Sequence, residues 1–459
     1  MVAVTDAFDV LVLGAGSGGY ACALRAAQLG LSVGLVERDR LGGTCLHVGC
    51  IPTKALLHAG EIADAARDAA DFGVRAQLDG IDMPGVNAYK DKVVARLFKG
   101  LTGLIASRGI TVIEGEGTLV GPHEVRVGET GYTGRHLVLA TGSAARSLPG
   151  LEVDGERVLT SEHALALDRV PASVVVLGGG VIGCEFASVW RSFGAEVTIL
   201  EALPRLVPTE DEASSAALQR AFRKRGIRAL TSTPFESVSR TESGVVVRTQ
   251  GGESLEADLL LVAVGRGPVT AGLGFEDQGI TLDRGFVRVD DRLRTGVAEV
   301  YAVGDIVAGP QLAHRGFAQG IFVAEQIAGL DPASIDDLGI PRVTYSHPEV
   351  ASVGLTEQAA RERYGEVETL VYDLGGNGKS QILGTQGFVK LIRHPDGPVV
   401  GLHLVGDRVG ELIGEAQLIY GWEAVPDDVA PLVHAHPTQN EALGEAFLAL
   451  AGKPLHAHS

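Results

Sequence analysis

Apolar residues in the first half of the chain gather into short runs that stop at glycine, and helical stretches follow them. Val10 to Leu13 is such a run; Gly14, Gly16 and Gly19 come next, then a helical stretch to Gly30 and a second apolar strand ending at Glu37. The pattern returns at Val174 to Leu177, with Gly178, Gly180 and Gly183, a helical stretch to Gly194 and a strand ending at Glu201. In both copies the acid stands at the same distance from the first glycine, and Gly30 and Gly194 also correspond. Two more apolar runs end in glycine turns, Leu137 to Ser143 and Leu260 to Gly265. No unbroken apolar run approaches the roughly 20 residues of a membrane span.

A strand, three glycines, a helix and a strand ending in an acid form a βαβ dinucleotide-binding signature. The glycines allow a tight turn, close approach of backbone to pyrophosphate and packing of helix on strand; the helix N-terminus faces the phosphates and the acid takes the ribose hydroxyls. One match is weak, whereas two with matched offsets predict two nucleotide sites. Glu201 would hydrogen-bond an unsubstituted ribose and repel a 2′-phosphate, which favours NAD over NADP on the second unit. Arg205 nearby reads as a solvated loop charge.

Between the first signature and Lys54 lies Gly42-Gly43-Thr44-Cys45-Leu46-His47-Val48-Gly49-Cys50-Ile51-Pro52-Thr53-Lys54. A bridge between Cys45 and Cys50 would close so short a loop that it would stabilise the fold by only about 2 kcal/mol, which points to redox chemistry rather than structure. A disulfide does not accept hydride unaided from a diffusing nicotinamide, so a flavin is expected beside this pair on the first unit. Cys22 and Cys184 fall in the apolar helices after the two fingerprints and read as buried, inert thiols.

At 459 residues, with 45% hydrophobic and 21% charged residues, the chain has the composition of a soluble protein of two to four domains. The formal net charge of -18 argues against nucleic acid and anionic membranes as partners. Met1 to Phe8 lacks the basic start and apolar stretch of a signal peptide, so a cytoplasmic location is expected, where a disulfide is more often catalytic than structural. No close set of Cys and His suggests a metal site, and His456 and His458 are too few for a metal tract.

The cysteine segment, the second fingerprint, Val300-Tyr301-Ala302-Val303-Gly304-Asp305 and His434-Ala435-His436-Pro437-Thr438-Gln439-Asn440-Glu441 resemble, in this order and spacing, the class I pyridine nucleotide-disulfide oxidoreductases. Within that class they are most similar to the dihydrolipoamide dehydrogenases, flavoproteins shared by 2-oxo acid dehydrogenase complexes and the glycine cleavage system. The resemblance runs from about Phe8 to the C-terminus. It implies an α/β protein with two Rossmann-like dinucleotide-binding domains and a C-terminal α+β dimerisation domain. An FAD-binding domain would comprise residues 1–145 and 266–335, an NAD-binding domain 146–265 and an interface domain 336–459. A homodimer is implied, with lipoyl domains of the multienzyme complexes as partners.

The same resemblance assigns roles. Cys45 would exchange with the substrate and Cys50 would lie against the flavin. His436 is the expected base, an imidazole near neutrality that takes a proton from a dithiol and returns it, with Glu441 holding its tautomer. The resemblance implies that the base serves the disulfide of the other subunit. His434 would have a supporting role, and His47 a packing or surface one. Lys54, following the cysteines on the same predicted helix, would pair with Glu185 near the flavin. Thr141, Gly142 and Ser143, Gly117, Asp305 and the run Gln311, Leu312, Ala313 and His314 would line the flavin site, and Gly265 would close the nicotinamide domain.

Three functions fit. The first is NAD-dependent oxidation of protein-bound dihydrolipoamide through Cys45, Cys50 and FAD. The second is NADPH-driven reduction of glutathione, a related disulfide or mercuric ion, which Glu201 and the absence of a C-terminal cysteine pair disfavour. The third is a nucleotide-binding scaffold without turnover, which the complete Cys45, Cys50, His436 and Glu441 set disfavours. Val269, Gln439 and Asn440 depart from the family pattern at the domain exit and beside the expected base.

Overall fold

The protein is described by a computed structural model, which covers residues 4–456. Packing divides it into two compact units. Of the described residues, the first comprises 4–55, 85–146 and 266–337, and the second comprises 56–84, 147–265 and 338–456.

The core of the first unit is a parallel sheet. Strand Val4–Leu13 lies between Val33–Glu37 and Thr130–Leu139, and Thr111–Glu114 extends the far side of Val33–Glu37. Val300–Ala302 also pairs parallel to Thr130–Leu139, bringing a late segment against an early one. Strands buried on both faces need continuous apolar runs, and Val10, Leu11, Val12, Leu137, Val138 and Leu139 are all buried. Helices Ser17–Gln28 and Ala313–Ile327 pack together closely enough that a Cβ at Gly320 would lie 2.2 Å from the Gly18 carbonyl oxygen. Only glycine fits there.

The second unit repeats the plan. Its parallel sheet runs in the order Ile227–Leu230, Glu196–Leu200, Ser173–Leu177, Leu259–Val262, Val158–Leu159. A three-stranded antiparallel meander, Phe235–Arg240, Val245–Thr249 and Ser254–Ala257, is inserted before the strand at Leu259. The C-terminal part is an antiparallel sheet in the order Arg342–Thr344, Glu349–Gly354, Val399–Gly406, Phe388–Arg393, Glu368–Asp373. Helices Val409–Gly421 and Glu441–Leu450 cover it through Ile413, Ala416, Leu443 and Phe447. Two Rossmann-like sheets and an α+β C-terminal part are thus present, as the glycine pattern and the resemblance led us to expect.

Buried charge ties the C-terminal part to the nucleotide-binding part of the second unit. Asp211 caps helix Glu212–Lys224 through the Ala213 amide at 3.0 Å and accepts from Lys390 Nζ at 2.8 Å, while Lys390 also meets Glu357 at 2.7 Å. Glu210 accepts from Ser352 and from Arg342 Nε. Elsewhere, Arg67 and Arg225 close on Asp64 at the ends of two helices, Cys50–Arg67 and Glu212–Lys224. Cations at helix C-termini offset the negative end of the macrodipole.

Candidate active site

At the first fingerprint Gly14 has φ +101°, and a Cβ there would lie 2.4 Å from the Ala140 carbonyl oxygen. A Cβ at Gly19 would fall 1.8 Å from the Gly14 oxygen, so helix and strand touch through glycine alone. Gly16, the N-cap of helix Ser17–Gln28, faces open space and supplies no side-chain cap. The first amides of that helix therefore point at a cradle that a phosphate would fill. Glu37 Oε2 accepts from the Ala15 amide at 2.8 Å and Oε1 from the Asp39 amide at 2.9 Å, fixing the acid at the rim.

Around this cradle Thr141 Oγ1 donates to the Val269 carbonyl at 2.5 Å, Gly142 takes φ +73°, and Ser143 Oγ donates to Asp305 Oδ2 at 2.5 Å. Gln311 Nε2 donates to the Asp305 carbonyl at 3.3 Å, Leu312 is the N-cap of helix Ala313–Ile327, and Ala313 and His314 open its first turn. Gly117 is a packing position: a Cβ would come 2.5 Å from Leu13 Cδ1. The cradle, the rim acid and Asp305 suit the pyrophosphate, ribose and polyol of FAD.

The cysteine segment leans on the same loop. Gly42 has φ +102° and its amide donates to the Ala15 carbonyl at 2.8 Å, and Gly43 lies so close to Gly16 Cα that a Cβ would be 2.8 Å away. Cys45 falls on the short helix Gly43–His47, whereas Cys50 starts the helix Cys50–Arg67. This corrects the expectation that both cysteines share one helix with Lys54. The first helix ends at Val48, and a Cβ at Gly49 would press to 2.9 Å on the Thr44 oxygen, so the chain turns before resuming.

Cys45 and Cys50 are both partly exposed, whereas Cys22 and Cys184 are buried. Hydrogen bonding to the Cys50 sulfur, burial and the charge of Cys50 push the Cys45 thiol up; Asp305 adds to this and the Lys54 ammonium opposes it. A dithiol held this way keeps its protons, so reaction requires a base. Burial pushes the neighbouring Tyr20 phenol up to about 12, with the cysteine charges adding to it. Cys22 and Cys184 are fully buried, and burial raises both thiols, Cys22 to about 12. Both are buried in the apolar helices where the sequence places them. His47 is a packing residue: Nε2 meets the Leu41 carbonyl at 2.9 Å and the ring stands edge-on to Phe98.

The second fingerprint repeats the glycine geometry and the acid contacts of the first. Gly178 has φ +109° with a Cβ position 2.4 Å from the Ala263 oxygen, Gly183 is 1.9 Å from the Gly178 oxygen by the same measure, and Gly180 faces open space at the N-cap of helix Val181–Phe193. Glu201 accepts from the Gly179 amide at 2.6 Å and the Leu203 amide at 2.7 Å, as Glu37 does from Ala15 and Asp39. Gly265 closes the last strand with φ +104°. Arg205 donates to the Pro208 carbonyl at 2.9 Å, tied to its own loop. Glu185 is buried and accepts from the Tyr345 amide at 3.0 Å. These residues fit a dinucleotide with a free ribose.

At the C-terminal site His436 Nδ1 lies 2.8 Å from Glu441 Oε1, while Glu441 Oε2 accepts from the Thr438 amide at 2.7 Å. The imidazole is 78% exposed and its carboxylate partner 22%. With Nδ1 taken by Glu441, Nε2 is the ring nitrogen left for another partner. Burial pushes the Glu441 carboxyl up, but the Thr438 amide and the nearby His436 and His434 outweigh it and hold the group below its usual range. His434 Nε2 meets Glu415 at 2.9 Å, and Glu415 also receives Asn440 Nδ2. His434 and Asn440 are thereby both held by Glu415 on helix Val409–Gly421. Gln439 is buried. His456 meets Glu445 at 2.8 Å, and His458 lies outside the described residues. Among the described residues no cluster of three metal-ligating side chains occurs.

Sequence reasoning passed over Arg266. Its Nε donates to Ser143 Oγ at 2.8 Å and Nη2 to the Ser143 carbonyl at 2.6 Å, with Thr44 Oγ1 at 3.4 Å. A lone arginine in a glycine-rich run carries no local signal.

Residues 8–320 match the family model described as pyridine nucleotide-disulphide oxidoreductase, and residues 340–447 the dimerisation domain of the same family. The chain is 38% identical over 469 residues to a dihydrolipoyl dehydrogenase of Bacillus subtilis, covering 98% of this chain and 99% of that one. It is 39% identical to a leghemoglobin reductase of Glycine max, covering 99% of this chain and 89% of the relative. Among solved structures it resembles LpdA of Mycobacterium tuberculosis, with a TM-score of 0.90 at 27% identity over 97% of this chain and 100% of that one. The family works with FAD and NAD(H). The chain belongs to the pyridine nucleotide-disulphide oxidoreductases.

Proposed function

We propose that the protein is a cytoplasmic homodimer that oxidises protein-bound dihydrolipoamide with NAD, serving the lipoyl domains of 2-oxo acid dehydrogenase or glycine cleavage complexes. The observation that carries this reading is the placement of Cys45 and Cys50 on the adjoining helices Gly43–His47 and Cys50–Arg67, tied by the Gly42 amide to the Ala15 carbonyl in the loop of the first nucleotide cradle. The domains are those outlined from the sequence: 1–145 with 266–335 for FAD, 146–265 for NAD, and 336–459 for the interface.

In the oxidised protein Cys45 and Cys50 form a disulfide. A substrate thiolate attacks Cys45, the S–S bond breaks, and Cys50 leaves as a thiolate. His436, from the other subunit, takes the proton of the second substrate thiol; that thiolate attacks the substrate sulfur of the mixed disulfide and frees Cys45. The substrate has lost two electrons and the cysteine pair has gained them. FAD, when bound, supplies the two-electron transfer from this dithiol to NAD. Glu441 holds His436 with its proton on Nδ1, leaving Nε2 to accept. Glu201 presents a fixed carboxylate, already accepting two backbone amides, to the NAD ribose, where a 2′-phosphate would meet uncompensated negative charge. Lys54 and Glu185 are assigned to tuning the flavin potential and the nicotinamide pocket.

Steady-state kcat/KM for dihydrolipoamide with NAD and NADP, beside oxidised glutathione with NADH and NADPH, tests the reading. Dihydrolipoamide with NAD should exceed every other pair. A higher kcat/KM for glutathione with NADPH would replace it with the second function.

A further inference from the structure

Asp305 reaches the redox segment through other side chains. Ser143 Oγ donates to Asp305 Oδ2 at 2.5 Å and itself accepts from Arg266 Nε at 2.8 Å. The same guanidinium donates through Nη2 to the Ser143 carbonyl at 2.6 Å and extends to Thr44 Oγ1 at 3.4 Å, one residue before Cys45. A backbone ladder holds the arrangement, because Arg266–Pro268 pairs antiparallel with Ser143–Ala145. A cation, a hydroxyl and a carboxylate in line polarise one another. The Asp305 charge pushes the Cys45 thiol up and the Lys54 ammonium opposes it, while the Arg266 guanidinium reaches Asp305 through Ser143 Oγ and extends to the residue before Cys45, where a positive charge favours a thiolate.

We propose that Arg266 is a positioning residue that, through Ser143, aims Asp305 at the flavin and sets the charge around Cys45. The inference rests on the roles given above to Asp305 and Cys45, and its test uses neither dihydrolipoamide nor NAD. Only a guanidinium meets Ser143 Oγ, the Ser143 carbonyl and Thr44 together; a lysine keeps the charge and loses the fork. Geometry and charge therefore separate into two readouts.

The first readout is FAD affinity of the holoenzyme, from flavin fluorescence released on dilution. The second is the pH midpoint for iodoacetamide alkylation at Cys45 in the reduced holoenzyme, followed by mass spectrometry. Arg266→Met should weaken FAD binding about 10-fold or more, the scale of a lost charge-assisted hydrogen bond, and move the Cys45 midpoint to higher pH. Arg266→Lys should restore the midpoint while leaving FAD binding weakened. Ser143→Ala should weaken FAD binding like Arg266→Met, and the double variant should fall little further, because both break one relay. A role in stability alone would lower the melting temperature without moving the alkylation midpoint. Unchanged FAD affinity in Ser143→Ala, a wild-type midpoint in Arg266→Met, or losses that simply add would overturn the proposal. Should Arg266→Met not fold, Arg266→Lys and Ser143→Ala decide it on FAD affinity: wild-type values in either refute it. A protein that fails to oxidise dihydrolipoamide yet shows these shifts would sink the proposed function and leave Arg266 its role.

Discussion

Replacing Glu441 with glutamine tests the base assignment at its weakest joint. Both carboxylate oxygens accept: Oε1 lies 2.8 Å from His436 Nδ1 and Oε2 is 2.7 Å from the Thr438 amide nitrogen. An amide offers one acceptor and one donor group, so it serves one neighbour and turns its NH2 on the other. Keeping the Thr438 amide satisfied puts the NH2 against His436 Nδ1, which favours the tautomer with the proton on Nε2. That nitrogen then donates where it should accept. Keeping His436 satisfied leaves the Thr438 amide facing a donor. Either way one hydrogen bond to a charged group is lost, about 1.5–3 kcal/mol, or roughly 10- to 100-fold in rate if it acts in the transition state.

The assay is kcat and kcat/KM for dihydrolipoamide oxidation across pH, with FAD content and melting temperature measured beside it. Glu441→Gln should lower kcat by that factor while FAD content holds. Glu441→Ala should lose at least as much, because it also removes the anchor to Thr438. A Glu441→Gln enzyme within about twofold of wild type would refute the claim that the carboxylate sets the imidazole tautomer.

Asp211→Asn should destabilise the protein by about 3 kcal/mol in chemical denaturation, since it leaves Lys390 Nζ buried beside one carboxylate instead of two. Burial pushes the Asp211 carboxyl up, but Lys390 and the Glu357 amide outweigh it and leave the group below its unfolded value. Its contribution is therefore present above about pH 4 and lost as pH falls through the lower folded value, so the variant and wild type should converge in acid. Glu349 is the opposite case: burial first, then Asp407, Glu61 and Glu411, raise it to about 7 against the opposing Gly410 amide. Stability tied to this group is full below about pH 4 and lost as pH rises to 7, so Glu349→Gln should raise the melting temperature at pH 8 and do nothing at pH 4. A gain at both pH values would show that its charge is irrelevant.

Local signals made the two nucleotide folds legible. Gly14 and Gly178 sit at φ +101° and +109°, and Gly19 and Gly183 touch their strands at distances no side chain allows, so the residue types were dictated by backbone geometry. The His436 and Glu441 pair was legible because five residues of loop suffice to bring them together. Interactions closed by distant pairings were not. Arg266 finds Ser143 only because Arg266–Pro268 and Ser143–Ala145 form a ladder, and Asp211 finds Lys390 only across the junction with the C-terminal sheet. The break between the cysteines was missed because Thr44 to Thr53 reads as one helical stretch; the close approach of Gly49 to the Thr44 carbonyl decides it, and no pattern of apolar positions reports that.

The most direct measurement of the central claim is a thiol count on the native holoenzyme. Cys22 and Cys184 are wholly buried, so native alkylation read by peptide mass spectrometry reports on Cys45 and Cys50 alone. After air oxidation neither cysteine should take label. After anaerobic treatment with one equivalent of dihydrolipoamide both should take it, and subsequent addition of NAD should return them to the unlabelled state. Labelling of Cys45 and Cys50 that is equal before and after dihydrolipoamide would contradict the account, because the pair would then carry none of the substrate's electrons.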